Sequence, residues 1–464
     1  MKFKSNDRFG IVLYVIGVIF LIITSYIGLS GIGLWADEIY TLAIVQMPFN
    51  SFLASALGDV HPILYYVMLK SFLKVFAFGG IAFSSKVFSL VPILLLGILS
   101  LTKIRKNFGF LTSALFFLFI SSMPRILASA FEVRMYSWAL FFVTASMIYA
   151  YEVTLNSTYR NWIVLTFLTI CSAYTHYFSA IASFSIYIVL LLYILRKNRS
   201  LLKFYLISSL AALISYLPWL AIVRIQSANV GASYWIDPIT FNSLITYIYY
   251  IFTPAWNAMR SNEVLSPAIL PTLLLLSFIY LFYRNRDEFT SDTLLAFLLV
   301  PLIGIAASFL FRPVFHVRYM IPSLGCFWLV FAHLLSKSFS DLKVFAPVLV
   351  LVLIIGVSGI FAFIPVHEWD VYTSGVEGSY ISNVGEGSVV IINNVNVYSY
   401  LFYYYAPNNT YVLSNASIAS LIGNNSSEAY YVDVNDDVLK NENLSYSVIP
   451  TDEPVIGYKI YKIQ

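Results

Sequence analysis

The sequence predicts a polytopic α-helical membrane protein of about eleven transmembrane helices, with a small extracytoplasmic α/β domain at its C-terminus. Of the 464 residues, 59% are hydrophobic and only 11% are charged, whereas soluble proteins carry roughly 25% charged residues. Residues 366–464 hold 11 acidic and 3 basic side chains, which leaves 12 acidic and 24 basic side chains in residues 1–365. These observations exclude a disordered chain and a cytosolic enzyme, and they indicate a membrane domain over 1–365 and a soluble domain over 366–464.

The first predicted span is the apolar segment 11–30. About 20 helical residues cross a ~30 Å hydrocarbon core, and no small-residue cleavage site follows, so we interpret the segment as retained rather than as a signal peptide. The remaining predicted spans are 84–102, 110–124, 135–152, 161–175, 178–195, 201–223, 265–283, 293–311, 319–336 and 344–364.

Two shorter apolar segments, 63–78 and 244–256, are predicted to lie in the membrane interface. Segment 63–78 carries Lys70 and Lys74, and each charge at the bilayer centre would cost roughly 2.5–3.5 kcal/mol. If neither segment crosses, all the basic clusters fall on one side, as the positive-inside rule requires. We therefore expect an integral plasma membrane protein with a cytoplasmic N-terminus, outer loops at 31–83 and 224–263, and the C-terminal domain outside.

The C-terminal region alternates strand-like and helix-like segments, which favours a small α/β fold. The strand-like runs are 389–392, 410–413, 429–434 and 456–463, and the helix-compatible runs are 398–405 and 418–422. Five Asn-x-Ser/Thr sequons also occur there. They fit an extracytoplasmic glycoprotein surface, although Asn- and Ser-rich loops also generate sequons by chance.

Polar residues that are unusual in such an apolar chain fall on the predicted outer side. Ionisable groups at a membrane edge are candidates for function because desolvation penalises them unless a partner or ligand compensates. The candidate site residues are Asp37, Glu38, Asp59, His61, Glu132, Arg134, Tyr136, His176, Tyr177, His316, Arg318 and Tyr319.

Two acidic motifs, Trp-Ala-Asp-Glu at 35–38 and Asp-Val-His-Pro at 59–62, follow the first span. A carboxylate at a membrane edge has a raised pKa and can act as a general base on a hydroxyl; the alternative is a solvated loop with incidental acids. Glu132 and Arg134 are two residues apart, so on a helix they would reach different partners.

The arginines and histidines suggest an anion site. The planar donor forks of Arg134 and Arg318 suit a phosphate, although either residue would also be typical of an interfacial arginine that reaches lipid headgroups. His176 lies in a predicted turn, where a hydrogen-bonded structural histidine is the commoner case. His316 precedes Arg318 at the entry to the tenth span.

Several functional classes lack their motifs. There is no Walker loop, HExxH or GxSxG motif, and no nucleic-acid signature, so nucleic acid is not an expected partner. Cys171 and Cys326 lie in apolar runs and support neither a disulfide nor a cysteine metal site. No cofactor is indicated with certainty, and a divalent cation is left open.

Five motifs in order carry a family resemblance: Trp-x-Asp-Glu, Asp-x-His-Pro-x-Leu-Tyr-Tyr, Glu-x-Arg-Met-Tyr, Thr-His-Tyr and Arg-Tyr-x-x-Pro. Over roughly residues 11–335 the chain resembles membrane glycosyltransferases of the GT-C superfamily. It is most similar to the group of dolichyl-phosphate-mannose protein mannosyltransferases and lipid A aminoarabinose transferases, and to their prokaryotic relatives, above all archaeal ones. Ile63 stands where that group often has a second Pro, and the Trp-Trp-Asp signature of oligosaccharyltransferases is missing, which disfavours en bloc transfer to asparagine.

The resemblance implies an inverting hexosyltransferase that uses a polyprenyl (dolichyl) phosphate sugar, with mannose as one candidate. The acceptor would be a hydroxyl on a glycan, a lipid or a protein at the extracytoplasmic face, and membrane lipids would surround the protein. It also implies that Asp37 is the general base, with Glu38 beside it, and that Arg134 and Arg318 are candidates to hold the lipid phosphate. A transporter or flippase of a lipid-linked sugar is the alternative, but such sites usually lie near the bilayer midplane.

Overall fold

The computed structural model describes residues 5–229, 236–253, 269–392, 398–413, 418, 428–451, 453–454 and 456–464. It divides the chain into two compact units. The first comprises Met1–Ser30 and Leu53–Val366, and the second comprises Gly31–Phe52 and His367–Gln464. The segment 31–52, which we assigned to the membrane domain, therefore groups with the C-terminal residues.

The first unit is helical, as expected from its nearly continuous apolar composition. Its helices are α1 (Ser5–Leu29), α4 (Leu64–Val75), α5 (Ile81–Leu99), α6 (Arg105–Phe108), α7 (Phe110–Ser122), α8 (Pro124–Phe131), α9 (Tyr136–Leu155), α10 (Tyr159–Ala173), α11 (Tyr177–Lys197), α12 (Leu202–Asn229), α13 (Phe241–Tyr250), α14 (Ile269–Asn285), α15 (Glu288–Leu310) and α16 (Ile321–Lys337). Two helices run across the unit boundaries, α3 (Phe49–Gly58) and α17 (Leu342–Ile381).

Every predicted span overlaps a helix over its described residues, but the structure does not establish that eleven of these helices cross the membrane. Within the described ranges, eight helical segments are long and apolar enough to span a membrane, and a ninth arises if α7 and α8, bent by 63°, form one broken span. Helix α14 has 17 residues and α10 has 15. The chain is an integral, multi-pass membrane protein.

The short segments also form helices. Helix α4 has 12 residues, so at ~1.5 Å per residue it is too short to cross a ~30 Å core. Helix α12 continues to Asn229, so the predicted loop 224–263 begins within a helix. Of the remainder of that loop, 230–235 and 254–263 lie outside the described residues.

Close packing of α9 against α16 forms the centre of the first unit. A Cβ atom added to Gly325 on α16 would collide with the Thr144 side chain of α9, which is the close approach that small residues permit between membrane helices. On the same helix α16, Trp328 and Phe331 are stacked with ring centroids 5.8 Å apart, and Phe119 of α7 packs 5.5 Å from each of them. Helix α16 therefore packs closely against both α7 and α9.

The second unit combines α2 (Ala36–Gln46), α18 (Tyr398–Tyr405), α19 (Asp437–Asn441) and a five-stranded sheet. The strands are β1 (Val389–Ile392), β2 (Thr410–Leu413), β3 (Ala429–Asp433), β4 (Tyr446–Val448) and β5 (Lys459–Ile463), in the order β2-β1-β3-β5-β4. Strands β1, β2 and β3 are parallel, with Val389 opposite Thr410 and Ala429. Strand β5 is antiparallel to β3 and β4, which confirms a small α/β fold.

Some boundaries in this unit differ from the prediction. The run 456–463 is a strand only from Lys459, and β4 and α19 were not predicted. Of the helix-compatible run 418–422, 419–422 lie outside the described residues. Helix α17 does not end before Pro365 but continues to Ile381, because a proline within a helix removes only one backbone donor and neighbouring groups can compensate.

Candidate active site

The ten candidate residues in the first unit lie at one end of its helices, which we call the arginine end. There α9 and α11 begin, and the chain between α8 and α9 is not helical over residues 132–134. The side chains of Asp59, His61, Glu132, Arg134 and Arg318 are 5 to 8% exposed. Because buried charges require partners or a ligand, this is an unusual concentration of polar groups.

Arg318 and Glu132 form a buried ion pair. Nη2 of Arg318 donates to Oε1 of Glu132 at 2.6 Å, and the guanidinium lies 5.0 Å from the ring centre of Tyr136. The backbone N–H of Arg134 donates to the carbonyl of Glu132 at 2.7 Å. Residues 132–134 are therefore a tight turn rather than helix, and from this turn the Glu132 carboxylate reaches Arg318.

Three histidines and two tyrosines pack around one another at this end. The rings of His61 and His176 are stacked with centroids 5.4 Å apart. His176 also contacts Tyr136 at 5.4 Å and Tyr319 at 5.2 Å, and His316 lies 5.9 Å from Tyr319. The motifs Asp-x-His-Pro, Glu-x-Arg-Met-Tyr, Thr-His-Tyr and Arg-Tyr thus meet in space.

These histidines are neutral. Burial, and then the positive charges of Arg134 and Arg318, lower the pKa of His61 well below its usual value. The pKa of His176 is lowered by burial, by His61 and by the same two arginines. Burial and Arg318 lower the pKa of His316 to about 3. The cationic groups of the cluster are therefore its arginines rather than its histidines.

Two of these histidines also cap the start of a helix: His176 caps α11, and His316 caps the short 3-10 helix Val317–Met320 that precedes α16. Nδ1 of His176 accepts the backbone N–H of Phe178 at 3.1 Å, and Nδ1 of His316 accepts that of Arg318 at 3.4 Å. Both side chains act as N-caps, which satisfies backbone donors that the helix itself leaves unpaired. The structural interpretation of His176 is thus correct, and the same residue also lies within the cluster.

Gln226 and Tyr66 hold the loop that carries Asp59 and His61. Nε2 of Gln226 donates to the carbonyl of Leu57 at 3.0 Å and to that of His61 at 3.5 Å. The hydroxyl of Tyr66 donates to Oδ2 of Asp59 at 2.7 Å. Tyr66 belongs to a recognised motif, but nothing in the sequence around Gln226 marked it as a support.

Tyr177 supports this network rather than joining the histidine cluster. Its hydroxyl donates to Oε1 of Gln226 and accepts from Nε1 of Trp219, the latter at 3.2 Å. Tyr177 remains a candidate for substrate binding, and its hydrogen bond to Gln226 also helps to fix the loop.

Lys86 is a third buried cation that the sequence analysis missed. Its side chain is 4% exposed, and Nζ donates to the carbonyl of Phe131 at 3.1 Å, next to Glu132. With His61 and His176 neutral, the described part of the cluster includes the basic side chains Lys86, Arg134 and Arg318 and the carboxylates of Asp59 and Glu132, and the buried Arg125 lies against the nearby ring of Tyr250. This charge balance favours an anionic ligand. The available signal was a lysine within an otherwise apolar predicted span.

Asp37 and Glu38 lie in the second unit, in the first turn of α2. Oε2 of Glu38 accepts the backbone N–H of Trp35 at 3.1 Å, and Glu38 is 2% exposed, so its carboxylate caps the helix. Asp37 is partly exposed. Its backbone carbonyl accepts the hydroxyl of Thr41 at 2.9 Å. The two neighbouring acids therefore have different surroundings.

No cluster of three or more His, Cys, Asp or Glu side chains suited to a metal ion occurs among the residues that the structure describes. The two cysteines, Cys171 and Cys326, are free thiols.

No protein-family model matches the chain, and no curated protein matches it by sequence. Solved structures do match. ArnT from Cupriavidus metallidurans in the apo state is 11% identical, with 97% of each chain covered and a TM-score of 0.67. The same protein bound to undecaprenyl phosphate is 10% identical, with 98% of this chain and 97% of that chain covered and a TM-score of 0.64.

The archaeal oligosaccharyltransferase AglB from Archaeoglobus fulgidus, in complex with an inhibitory peptide and a dolichol-phosphate, is 11% identical over 92% of this chain and 70% of that chain, with a TM-score of 0.50. ArnT and AglB are both GT-C superfamily membrane glycosyltransferases. At these identities the likeness is one of fold. It confirms the resemblance drawn from the five motifs: the chain has the fold of the GT-C membrane glycosyltransferases.

Proposed function

We propose that this protein is a glycosyltransferase that moves a sugar from a polyprenyl-phosphate donor to an acceptor hydroxyl. The observation that carries the proposal is the likeness over nearly the whole chain to ArnT, including its structure bound to undecaprenyl phosphate. The cation-rich arginine end supplies independent support because a phosphate would balance its charge.

Arg134 and Arg318 are proposed to bind the phosphate of the donor. Glu132 orients the guanidinium of Arg318 through a 2.6 Å hydrogen bond, and the planar, five-donor guanidinium of an arginine matches the geometry of a phosphate. The neutral His61 and His176 rings, Asp59, Tyr136, His316 and Tyr319 line the surrounding polar surface and are proposed to contact the donor. Donor forks placed at the phosphate would stabilise the negative charge that develops as it leaves.

Asp37 is proposed as the general base. Its partial exposure suits a group that must reach an acceptor, whereas Glu38 is engaged in capping α2. In the reaction, the acceptor oxygen forms a bond to the anomeric carbon, the bond from that carbon to the phosphate oxygen breaks, and the acceptor proton passes to Asp37. Polyprenyl phosphate leaves with the electron pair, and direct displacement inverts the anomeric centre.

The narrower assignments are part of the same proposal. The sugar is a hexose, with mannose as the first to test, and the acceptor is a glycan, a lipid or a protein at the extracytoplasmic face. A divalent cation is included as a variable in the assay.

The test combines donor binding with transfer. The purified chain is titrated with undecaprenyl phosphate, dolichyl phosphate and the neutral alcohol undecaprenol, and we expect saturable binding of the phosphates only. It is then incubated with radiolabelled mannosyl- and glucosyl-phosphoryl polyprenols and native membranes, with and without EDTA, and labelled acceptors are identified by mass spectrometry.

The proposal is supported if labelled acceptor forms when the wild-type chain is present and does not form when the chain is omitted. Equal binding of undecaprenol would remove phosphate recognition from the proposal. Movement of labelled donor across proteoliposome membranes, without transfer to any acceptor, would instead establish a flippase.

A further inference from the structure

A cavity lies at the end of the first unit's helices opposite to the arginine end. It is lined by the last turns of α9 and α11, by the first turns of α15 and by the end of α16, and its volume is about 360 Å³. We call this the carboxylate end. Helix α9 has 20 residues, so at ~1.5 Å per residue roughly 30 Å separates its two ends. The cavity is therefore distinct from the polar cluster at the arginine end.

Four aromatic rings form one wall of this cavity. Phe108 lies between Tyr151, Phe289 and His333, with ring centroids 5.2, 4.4 and 5.1 Å from its own. Tyr151 and Phe289 are themselves 4.7 Å apart. Aromatic faces carry negative charge density, and boxes of several rings are suited to organic cations.

Carboxylates form the polar part of the lining. Asp287, Glu288 and Asp292 line the cavity, and among the described residues its lining includes no lysine or arginine. Their basic partners, Lys337, Lys197 and Arg196, contact them from outside the lining, with N to O distances of 3.4 Å for Glu288 and 4.0 Å for Asp292. The interior surface is therefore acidic and aromatic.

Asp287 remains ionised in this setting. Burial raises the pKa of its carboxyl, but hydrogen bonds with His333 and Lys337 more than offset this effect and hold the pKa below its usual range. Nδ1 of His333 is buried and has no hydrogen-bond partner among the residues that the structure describes.

Much of the remaining lining is aliphatic, including Met147, Ala150, Ile186 and Leu190, and it also contains the polar residues Asn107, Thr154 and Tyr193. A volume of about 360 Å³ is within the usual range of small-ligand sites. We propose that this cavity binds an alkylammonium compound, with the ammonium group against the aromatic wall and carboxylates and the alkyl chain against the aliphatic residues. The group could be carried by a membrane lipid headgroup or by a free amine. The inference does not depend on the proposed function.

The experiment uses the full chain purified in a non-ionic maltoside detergent. Octyltrimethylammonium, octanol and octyl sulfate are compared by thermal stabilisation and by isothermal titration. We expect saturable binding of the ammonium compound and at least tenfold weaker binding of the other two. Equal affinity for octanol would show a merely apolar cavity, and no saturable ammonium binding would overturn the proposal.

Three variants of lining residues test whether octyltrimethylammonium binds in this cavity. We expect Asp292→Asn and Tyr151→Leu each to weaken octyltrimethylammonium binding about tenfold, and Ala150→Leu to reduce it further by filling the space. Asp341→Asn is the matched control, because Asp341 is a carboxylate near the same helix ends that pairs with Arg284 and does not line the cavity. Wild-type affinity in all three cavity variants, verified as folded by circular dichroism, would exclude the site.

The source of the ammonium group is decided by two further measurements. Tighter retention of phosphatidylcholine than of phosphatidylglycerol from mixed nanodiscs, lost in Ala150→Leu, would assign the site to a lipid headgroup. Binding of free choline that displaces octyltrimethylammonium would assign it to a soluble amine. If phosphatidylcholine is not retained preferentially and choline does not displace octyltrimethylammonium, the proposed ammonium recognition is wrong.

Discussion

The arginine end and the carboxylate end of the first unit differ in how far their ion pairs are exposed to solvent. The two ends are connected by helices α9, α11, α15 and α16. At the arginine end, the side chains of Arg318 and Glu132 are each 8% exposed, and their contacts are with other groups of the cluster. At the carboxylate end, Lys197 and Glu288 are 55% and 47% exposed, and Arg284 and Asp341 are 39% and 34% exposed. Both ends are rich in ions, so the number of charges does not distinguish them.

The difference lies in how much of each charge remains hydrated. Exposed pairs contribute about 0–1 kcal/mol, whereas a buried charge that loses its partner costs several times more. The arginine end therefore has a large energetic demand for partners or a ligand, and the carboxylate end has a small one except around its cavity and at the buried Glu152, which pairs with Lys103. Of the four measurements below, the last three test this contrast.

The largest effect is expected at Asp37, which belongs to the second unit. Replacing Asp37 with Asn keeps the shape of the side chain and removes its capacity to accept a proton, so turnover should fall by about 10²–10⁴-fold while donor binding stays near wild type. The measurement is the initial rate of sugar transfer together with undecaprenyl phosphate affinity.

Glu38→Gln is the matched control for Asp37→Asn. Its amide oxygen can still accept the Trp35 N–H that caps α2, so we expect a smaller loss of turnover. Wild-type transfer by a folded Asp37→Asn protein would disprove the assignment, and Asp59 or Glu132 would become the next candidate base.

The second test compares the ion pairs of the two ends directly. Glu132→Gln leaves the Arg318 guanidinium buried without its carboxylate, so the free energy of unfolding should fall by about 3–5 kcal/mol. Asp341→Asn, at the exposed pair with Arg284, should cost about 0–1 kcal/mol. Denaturant unfolding of both variants in the same detergent gives the two values, and equal losses would remove the contrast between the ends.

The third test concerns phosphate binding at the arginine end. Arg134→Lys keeps a positive charge but loses the planar fork, so affinity for undecaprenyl phosphate should fall about tenfold. Lys103→Arg, at the other end of the bundle, should leave that affinity unchanged. Unaltered donor affinity in both Arg134→Ala and Arg318→Ala would show that neither arginine recognises the phosphate.

The smallest effect is a slope in the pH dependence of stability. The pKa of His316 is about 3 in the folded protein, well below the unfolded value near 6.5. Between about pH 6.5 and pH 3, the unfolded chain therefore binds more protons than the folded protein does. His316 therefore contributes a loss of stability as pH falls below about 6.5, by ~1.4 kcal/mol per pH unit.

His61 and His176 act in the same direction as His316. His316→Asn keeps a cap for the Arg318 N–H and removes one titrating group, so its unfolding free energy should depend less steeply on pH between 6.5 and 5. If the slopes of wild type and variant are the same, protonation of His316 does not explain the acid sensitivity.

Local patterns predicted the helices and most of the strands because those depend on neighbouring residues. The segments 389–392, 398–405 and 410–413 are the bounds of β1, α18 and β2. Strand β4 has three residues, too few for an alternating pattern to stand out. The continuation of α17 beyond Pro365 was missed because a proline is a common but not obligatory end of a helix.

The candidate residues were identifiable because charged side chains are conspicuous in an apolar chain, but their partners were not. Glu132 and Arg318 are 186 positions apart, and no local signal links them. Lys86 was missed because it lies within a predicted span. Gln226 is uncharged, and its role depends on the packing of α12 against the loop at Leu57, which no local sequence pattern indicates.

The hydrogen bonds of Gln226 also have a consequence for biosynthesis. The residue it secures, His61, is 165 positions earlier in the chain, so at 5–20 residues per second the ribosome adds Gln226 roughly 10–30 s after His61. During that interval the loop bearing Asp59 and His61 has no access to these two bonds. Its final conformation is consequently a late event in the maturation of the nascent chain, and a product that terminates before residue 226 cannot acquire it.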